Sequence, residues 1–404
     1  MSRFALAKLG DVASFVRGVT FKPTDVVEPG TPNTVACMRT KNVQEELDLS
    51  DVWHIDSSFV KRPEQFLHAG DLLISSANSW NLVGKCSWVP ELDGRSTFGG
   101  FVSALRPDRA KVDPRYLYRF FSSARTQAVV RSYARQTTNI SNLDLKRCAE
   151  LPIPVPPLEE QRRIASILDH AETLCAKRRE AIARLDELTR SIFIDMFGEA
   201  WDTWELSTVE EIAAPHKGSI RTGPFGSQLL HEEFTDSGIP VLGIDNAVSN
   251  EFEWGKRRYI SEEKYRALER YTVHPGDVLI TIMGTCGRCA IVPQDIPLAI
   301  NTKHLCCVTL DREKALPEFL HSYFLHDPEA QSYLRRTAKG AIMSGLNMGI
   351  IKKLPVPLVP LDLQRIFIQR VEHVKLLKSQ QMRQLEDLDA AFVSIQSRAF
   401  LGEL

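Results

Sequence analysis

Residues 151–164 read LPIPVPPLEEQRRI and residues 354–367 read LPVPLVPLDLQRIF. Proline has no backbone donor and a fixed φ, so neither stretch can be an interior strand. Each is expected to form an edge passage or polyproline turn leading into a helix, rather than a free proline-rich ligand. Pro157 followed by Glu159 and Glu160 is ordinary helix N-terminus grammar. The chain therefore states one connector twice, and a tandem duplication implies two similar globes held in one frame.

Outward from the connectors, each copy runs into a long charged segment. Ile164, Leu168, Ala171, Cys175, Arg178, Ile182, Leu185, Thr189, Ile192 and Met196 are spaced four, three, four, three, with Ile167, Leu174, Leu188 and Phe193 widening the stripe. Phe367, Val371, Val374, Lys378, Gln381, Leu385, Leu388, Phe392, Ile395 and Ala399 keep the same rhythm. A 3.5-residue period sustained over several heptads predicts a coiled-coil seam. Two surface helices, each packed on its own globe, would need a broader apolar face. An antiparallel pair would place like globes at opposite ends about a pseudo-twofold axis, matching a partner with twofold symmetry such as duplex DNA.

Upstream of each connector lies a globe of mixed character. Asp71–Ser75 and Gly100–Leu105 are short apolar runs bounded by turn residues, as are Val278–Ile282 and Leu305–Leu310, and all four predict strands. Pro114–Val130 and Pro317–Arg335 predict helices. The fold class is α+β: two mixed α/β domains in pseudo-twofold arrangement, joined by two long helices forming an antiparallel coiled coil. The boundaries are 1–157, a central helix 158–200, 201–360, and a distal helix 361–404. Asn78-Ser79-Trp80-Asn81 in the first globe stands where the second has Gly284-Thr285-Cys286-Gly287, and because Asn tolerates positive φ the same turn is expected in both.

With 404 residues, 43% hydrophobic and 25% charged, the chain is long enough to bury two cores. No apolar run approaches a membrane span, and MSRFALAKLGDV lacks the core of a secretory signal, so a cytoplasmic protein is expected. Eight scattered cysteines fit a reducing compartment. Cys286-Gly-Arg-Cys289 with Cys306-Cys307 is a poor zinc set, since neighbouring cysteines rarely converge on one ion, and no metal site is expected. The net charge of −1 excludes nothing. Arg115, Arg119, Arg125, Arg131, Arg135, Lys146 and Arg147 nevertheless cluster against Asp144 alone, and the second copy answers with Arg335, Arg336, Lys339, Lys352 and Lys353. Matching clusters suggest a surface that tracks phosphates.

Catalytic machinery is missing from the sequence. No Asn/Asp-Pro-Pro-aromatic tetrapeptide of amino-methyltransferases occurs, because Asp113-Pro-Arg-Tyr116 has arginine in the second proline's place. Gly84-Lys85 lacks the glycine spacing of a phosphate loop.

On these features the chain resembles the specificity subunits of type I restriction-modification systems, the HsdS-type family. The resemblance spans nearly the whole length. It is carried by Thr222-Gly-Pro-Phe-Gly-Ser-Gln228, Gly238-Ile-Pro-Val241, Tyr271-Thr-Val-His-Pro-Gly-Asp-Val-Leu-Ile280, Gly284-Thr-Cys-Gly287, Asn301 and the LP.P.P.L..Q connector closing both globes. It implies two target recognition domains, each reading half of a split double-stranded DNA site, and helices that set the spacing and dock two methyltransferase subunits, with restriction subunits as further partners. Catalysis, with S-adenosylmethionine, ATP and magnesium, would reside in those partners. The alternative is a coiled-coil scaffold whose globes bind protein.

Base readout requires paired donors and acceptors: Arg for guanine, Asn or Gln for adenine, with Lys and Ser on phosphates. The candidates are Arg39, Lys41, Asn42, Asn78, Asn81, Arg135, Gln136, Thr138 and Asn139 in the first globe. In the second they are Arg221, Ser227, Gln228, Asn246, Arg288, Asn301, Lys303 and Lys339, with Lys352 and Lys353 as phosphate contacts.

Overall fold

Prolines at alternate positions of a strand place both missing donors on one side, leaving the other side free to pair. The computed structural model, which describes residues 3–137, 140–339 and 345–404, uses the connectors in this way. Pro152–Pro154 pairs antiparallel with Leu6–Lys8, setting Ile153 opposite Ala7. The Leu9 N–H donates to the Leu151 carbonyl at 2.8 Å and the Val155 N–H to the Ala5 carbonyl at 2.9 Å, so every donor needed comes from the non-proline positions. Pro355–Pro357 pairs with Leu206–Thr208 in the same register, Val356 opposite Ser207.

The chain divides into two compact units, residues 1–179 with 383–404 and residues 180–382. In the first unit a four-stranded antiparallel sheet runs in the order Ala13–Arg17, Val102–Pro107, Leu72–Ser75, Cys86–Trp88. The second unit repeats it as Ile220–Thr222, Leu305–Val308, Val278–Thr281, Cys289–Ile291. A second sheet in each contains one parallel pair, Thr34–Met38 with Ser96–Phe98 and Ile239–Leu242 with Ala299–Asn301. The duplication thus extends to strand order and direction, far beyond the connectors in which the sequence displays it.

Each expected globe helix is broken once. Pro114–Phe121 is followed by Ala124–Ser132, with Ser123 accepting from the Thr126 N–H as N-cap. Pro317–His326 is followed by Pro328–Lys339, with Asp327 accepting from the Ala330 N–H at 2.8 Å. A serine hydroxyl or an aspartate ahead of proline competes with the helical ladder for the same amides, and the chain turns there.

The long helices span Leu158–Phe197 and Leu361–Leu401. Every position of the expected seam is buried or half-buried. In the first unit Ile164 and Leu168 share a core with Ala399, Phe392 and Phe400, and Arg179 pairs with Asp389 at 2.8 Å. In the second, Phe193 and Phe197 lie 5.7 and 5.4 Å from Phe367 between ring centroids, and Lys378 pairs with Asp186 at 2.6 Å.

The connector glutamine explains how globe and helix are fixed together. Gln161 is fully buried; its Oε1 accepts from the Asp113 N–H at 2.8 Å and its Nε2 donates to the Lys111 and Pro156 carbonyls. Gln364 makes the same three bonds, to the Leu316 N–H and the Lys314 and Val359 carbonyls. An amide whose donor and acceptor ends are both used is tolerated in a core because nothing is left unpaired. Among the described residues, no helix is long and apolar enough to cross a membrane.

Candidate nucleic-acid interface

The Gly-Asp pair that opens one strand of each main sheet is a structural latch. Gly70 and Gly276 take φ of +91° and +81°, which glycine adopts at little cost. The following carboxylate accepts from the backbone three residues earlier, His68 to Asp71 at 2.9 Å and His274 to Asp277 at 2.8 Å. Both carboxylates are buried and each meets one guanidinium, Arg106 on Asp71 and Arg221 on Asp277, each at 2.6 Å. The cation comes from a different strand in the two units, so sequence alignment alone does not pair them.

That latch corrects one expectation. Arg221 is buried, and its guanidinium is committed to Asp277, the Thr272 carbonyl and Thr309, so it has no donor left for guanine. Three amides fail for the same reason. Asn42 and Asn246 occupy equivalent turns, each accepting from the backbone three residues earlier, at Arg39 and Gly243, and donating to carbonyls ahead, of Asp48 and Glu253. Asn301 is fully buried, donating to the Leu305 carbonyl at 3.1 Å. These amides staple turns that support the surface.

The basic cluster of the first unit is also partly internal. Arg119 is among the most deeply buried side chains and pairs with Asp169 and Glu172 of the central helix, and Arg115 also pairs with Asp169. These arginines clamp Pro114–Phe121 to the helix. Arg39 and Lys41 share Asp51 at 3.1 and 2.5 Å, and Arg39 lies 3.8 Å over the Trp53 ring. Arg135 is exposed and pairs with Asp144 at 3.1 Å. Lys352 is half-buried and paired with Glu210, whereas Lys353 is exposed. Thr138 and Asn139 lie outside the described residues, as does the Lys339 side chain.

What remains outward lies on two loops that occur in both units. In the second, a turn carrying Lys303 and His304 is tied to the loop Met283–Arg288 by the Ile282 N–H donating to the His304 carbonyl at 2.9 Å. Arg288 is exposed, and among the described residues its guanidinium has no partner. Gly284 and Gly287 take φ of +71° and +82° in this loop, and a Cβ on Gly284 would stand 3.2 Å from Ile244. Burial, Lys303 and Arg258 together hold the His304 imidazole below its ordinary range, so it is neutral at pH 7 and offers one donor and one acceptor. Ser227 and Gln228 are exposed on the separate turn Gly226–Gln228, where the Gln228 Oε1 accepts from the Tyr271 hydroxyl at 2.9 Å.

In the first unit the matching loop begins at Ser76. Ser76 and Ala77 donate to the Phe101 carbonyl at 3.0 and 3.1 Å, and Ala77–Asn78 pairs with Ser141–Leu143. This corrects the expectation of a shared turn, since neither Asn78 nor Asn81 has positive φ. Asn78 spends its side chain on Ser75 and on the Ser79 N–H, which starts a helical turn, while Asn81 and Gln136 are exposed.

Two glycines let these loops cross closely. A Cβ on Gly18 would lie 2.3 Å from the Gly99 carbonyl oxygen, and one on Gly223 2.0 Å from that of Asn301. At both crossings backbone runs on backbone, and only glycine fits.

Residue-by-residue reasoning missed Lys256, Arg257 and Arg258. The run was visible in the sequence, but only the register explains its place. Pairing sets Ile55 against Val35 and Ile260 against Ile239, which brings Lys256 to the position held by Asp51 in the first unit. Lys256 and Arg257 are exposed, and Arg258 pairs with Asp245 at 2.8 Å. It also missed Trp80 and Phe101, which are 41% and 64% exposed at the first unit's loops.

No thiol is available for chemistry in the second unit's sheet. Cys289, Cys306 and Cys307 are buried, and burial pushes the Cys306 thiol up to about 12. Among the described residues, no group of three or more histidine, cysteine or acidic side chains is placed to hold a metal ion.

Two like-built α+β units, each carrying a different polar face on the same pair of loops, define a chain that presents two surfaces from one repeated scaffold. The family model of the type I restriction modification DNA specificity domain matches it twice, over residues 1–184 and 202–387, and the chain belongs to that family. The StySPI specificity subunit of Salmonella potsdam, from a type I restriction enzyme, is 25% identical over 431 residues, covering 99% of this chain and 89% of the relative. The EcoKI specificity subunit of Escherichia coli K12 is 23% identical, with the same coverage. A chain solved in work on complex assembly and conformational transition of the type I R-M system superposes with a TM-score of 0.61 at 16% identity, covering 99% of this chain and 98% of that one. The S subunit from M. genitalium gives 0.53 at 15% identity, covering 99% and 96%.

Proposed function

We propose that this chain is the DNA-specificity subunit of a cytoplasmic type I restriction-modification assembly, with each unit reading one half of a split duplex site. The observation that supports this best is the pattern of the duplication. Latch, crossing glycine, turn-stapling asparagine and connector glutamine recur in both units, while the outward loops differ in nearly every side chain. A scaffold that keeps its frame and varies its outer edge is what reading two different half-sites requires.

In this reading the two long helices pair antiparallel as a coiled coil and carry the docking surface for two methyltransferase subunits, with restriction subunits joining them. Methyl transfer and ATP-driven cleavage belong to those partners, which would bring S-adenosylmethionine, ATP and magnesium. The exposed cations Lys256, Arg257 and Lys353 hold phosphates and set position, while the loop residues around Arg288 and Asn81 reach base edges.

The test is binding of the full chain, with its methyltransferase subunits, to duplexes carrying the methylated motif and to random duplexes across a salt series. DNA recognition predicts a steep linear fall of log affinity with log salt and a sequence preference with two parts. A scaffold that binds protein through its globes would show neither.

A further inference from the structure

We propose that the two units read their half-sites by different chemistry: the first through apolar and amide contacts to an A·T pair, the second through cations to guanine. This rests on the proposed function and adds the class of base each unit recognises.

The argument begins with what is free at the equivalent loops. Phe101 and His304 occupy the same place, since the carbonyl of each accepts from the residue opening the adjoining loop, Ser76 and Ile282. The Phe101 ring is 64% exposed although its backbone is held by two amides and flanked by Gly99 and Gly100. Trp80, on the adjoining loop, is 41% exposed. Large aromatics held outward on anchored backbone gain nothing from the fold and await an apolar contact. A thymine methyl in the major groove is such a contact, and the exposed Asn81 amide supplies the paired donor and acceptor that adenine matches.

Cations of the first unit beside these loops already hold partners within the fold, the exposed Arg135 pairing with Asp144 at 3.1 Å. Arg39 and Lys41 are both held by Asp51, and Lys85 by the Gln44 side chain at 2.6 Å. In the second unit the signs reverse. Lys256 replaces Asp51, Arg288 is exposed on the loop itself, and Lys303 precedes His304 on the turn. A guanidinium without an internal partner is the group best matched to guanine O6 and N7.

The experiment is selection from a library of random-sequence duplexes by the full chain with its methyltransferase subunits, comparing the native chain with Phe101→Ala, Trp80→Ala and Arg288→Ala. In the native selection, the positions that relax in the two aromatic variants should be A·T, and the position that relaxes in Arg288→Ala should be guanine. Each relaxation should be roughly 10-fold or more in base preference. Phe101→Leu, which keeps an apolar contact, should retain most of the preference. All of these side chains are exposed, so thermal unfolding should stay unchanged, which separates lost reading from lost folding. Guanine at the positions controlled by Phe101 and Trp80, or a motif unaltered by all three alanine variants, would overturn the inference while leaving the proposed function intact. Enrichment of no split motif at all by the native assembly would sink both.

Discussion

Gln364→Leu should destabilise the second unit by about 3 kcal/mol. The side chain is 1% exposed and makes three hydrogen bonds, to the Leu316 N–H and to the Lys314 and Val359 carbonyls. A net contribution of roughly 1 kcal/mol per bond gives that figure, and leucine is close enough in volume that no large cavity term is added. Urea unfolding followed by the fluorescence of Trp201, Trp204 and Trp254 would measure it, and amide exchange at Leu316 would localise it. Gln161→Leu should match in size, because its three bonds are the same, with Trp53, Trp80 and Trp88 reporting. Gln364→Glu adds a check on sign. A buried carboxylate facing two carbonyls has its folded pKa raised, so it destabilises above the unfolded value of about 4.3 and recovers as pH falls below it. Unaltered exchange at Leu316, or a loss under about 1 kcal/mol, would refute the account of the connector glutamine as a staple.

Further outcomes follow from other features of the two units. Gly223→Ala should cost more than about 3 kcal/mol, since its Cβ would stand 2.0 Å from a backbone oxygen, and thermal melting against the far milder Gly100→Ala, whose Cβ would meet nothing nearer than 3.5 Å, checks this. His326 sits against Phe193 in the second unit, and burial, with His321 and Arg190, pulls its imidazole down to about 4. The neutral form is therefore the folded form: stability is complete above about 6.5 and is lost as pH falls towards 4. His326→Leu should remove about 2 kcal/mol of that pH dependence, once partial solvent screening is discounted, read as a smaller difference in melting temperature between pH 7.5 and pH 5. Replacing Lys256 and Arg257 with alanine should lower the salt slope of DNA binding by about 1 for each phosphate no longer held, on specific and random duplexes alike. Arg221→Ala should instead reduce stability, by leaving Asp277 buried without its guanidinium.

The sequence alone determined the features that repeat locally. The connectors announced the duplication because alternate prolines allow only one paired side, and the seam spacing announced the long helices because a period of 3.5 residues has few other uses. Strands beginning after the Gly-Asp pairs were legible from their apolar runs. Only the tertiary structure decided what each polar side chain serves, because the groups that read a base edge also staple a turn. Arg221 and Asp277 are 56 residues apart in the chain and meet only when two strands flank a third. Asn42, Asn246 and Asn301 have the chemistry for adenine, but backbone carbonyls inside the fold take it up. The outward faces emerged in the same way: Lys256 stands where Asp51 does only once the register is known, and Phe101 becomes conspicuous only when its ring is left without a core to enter.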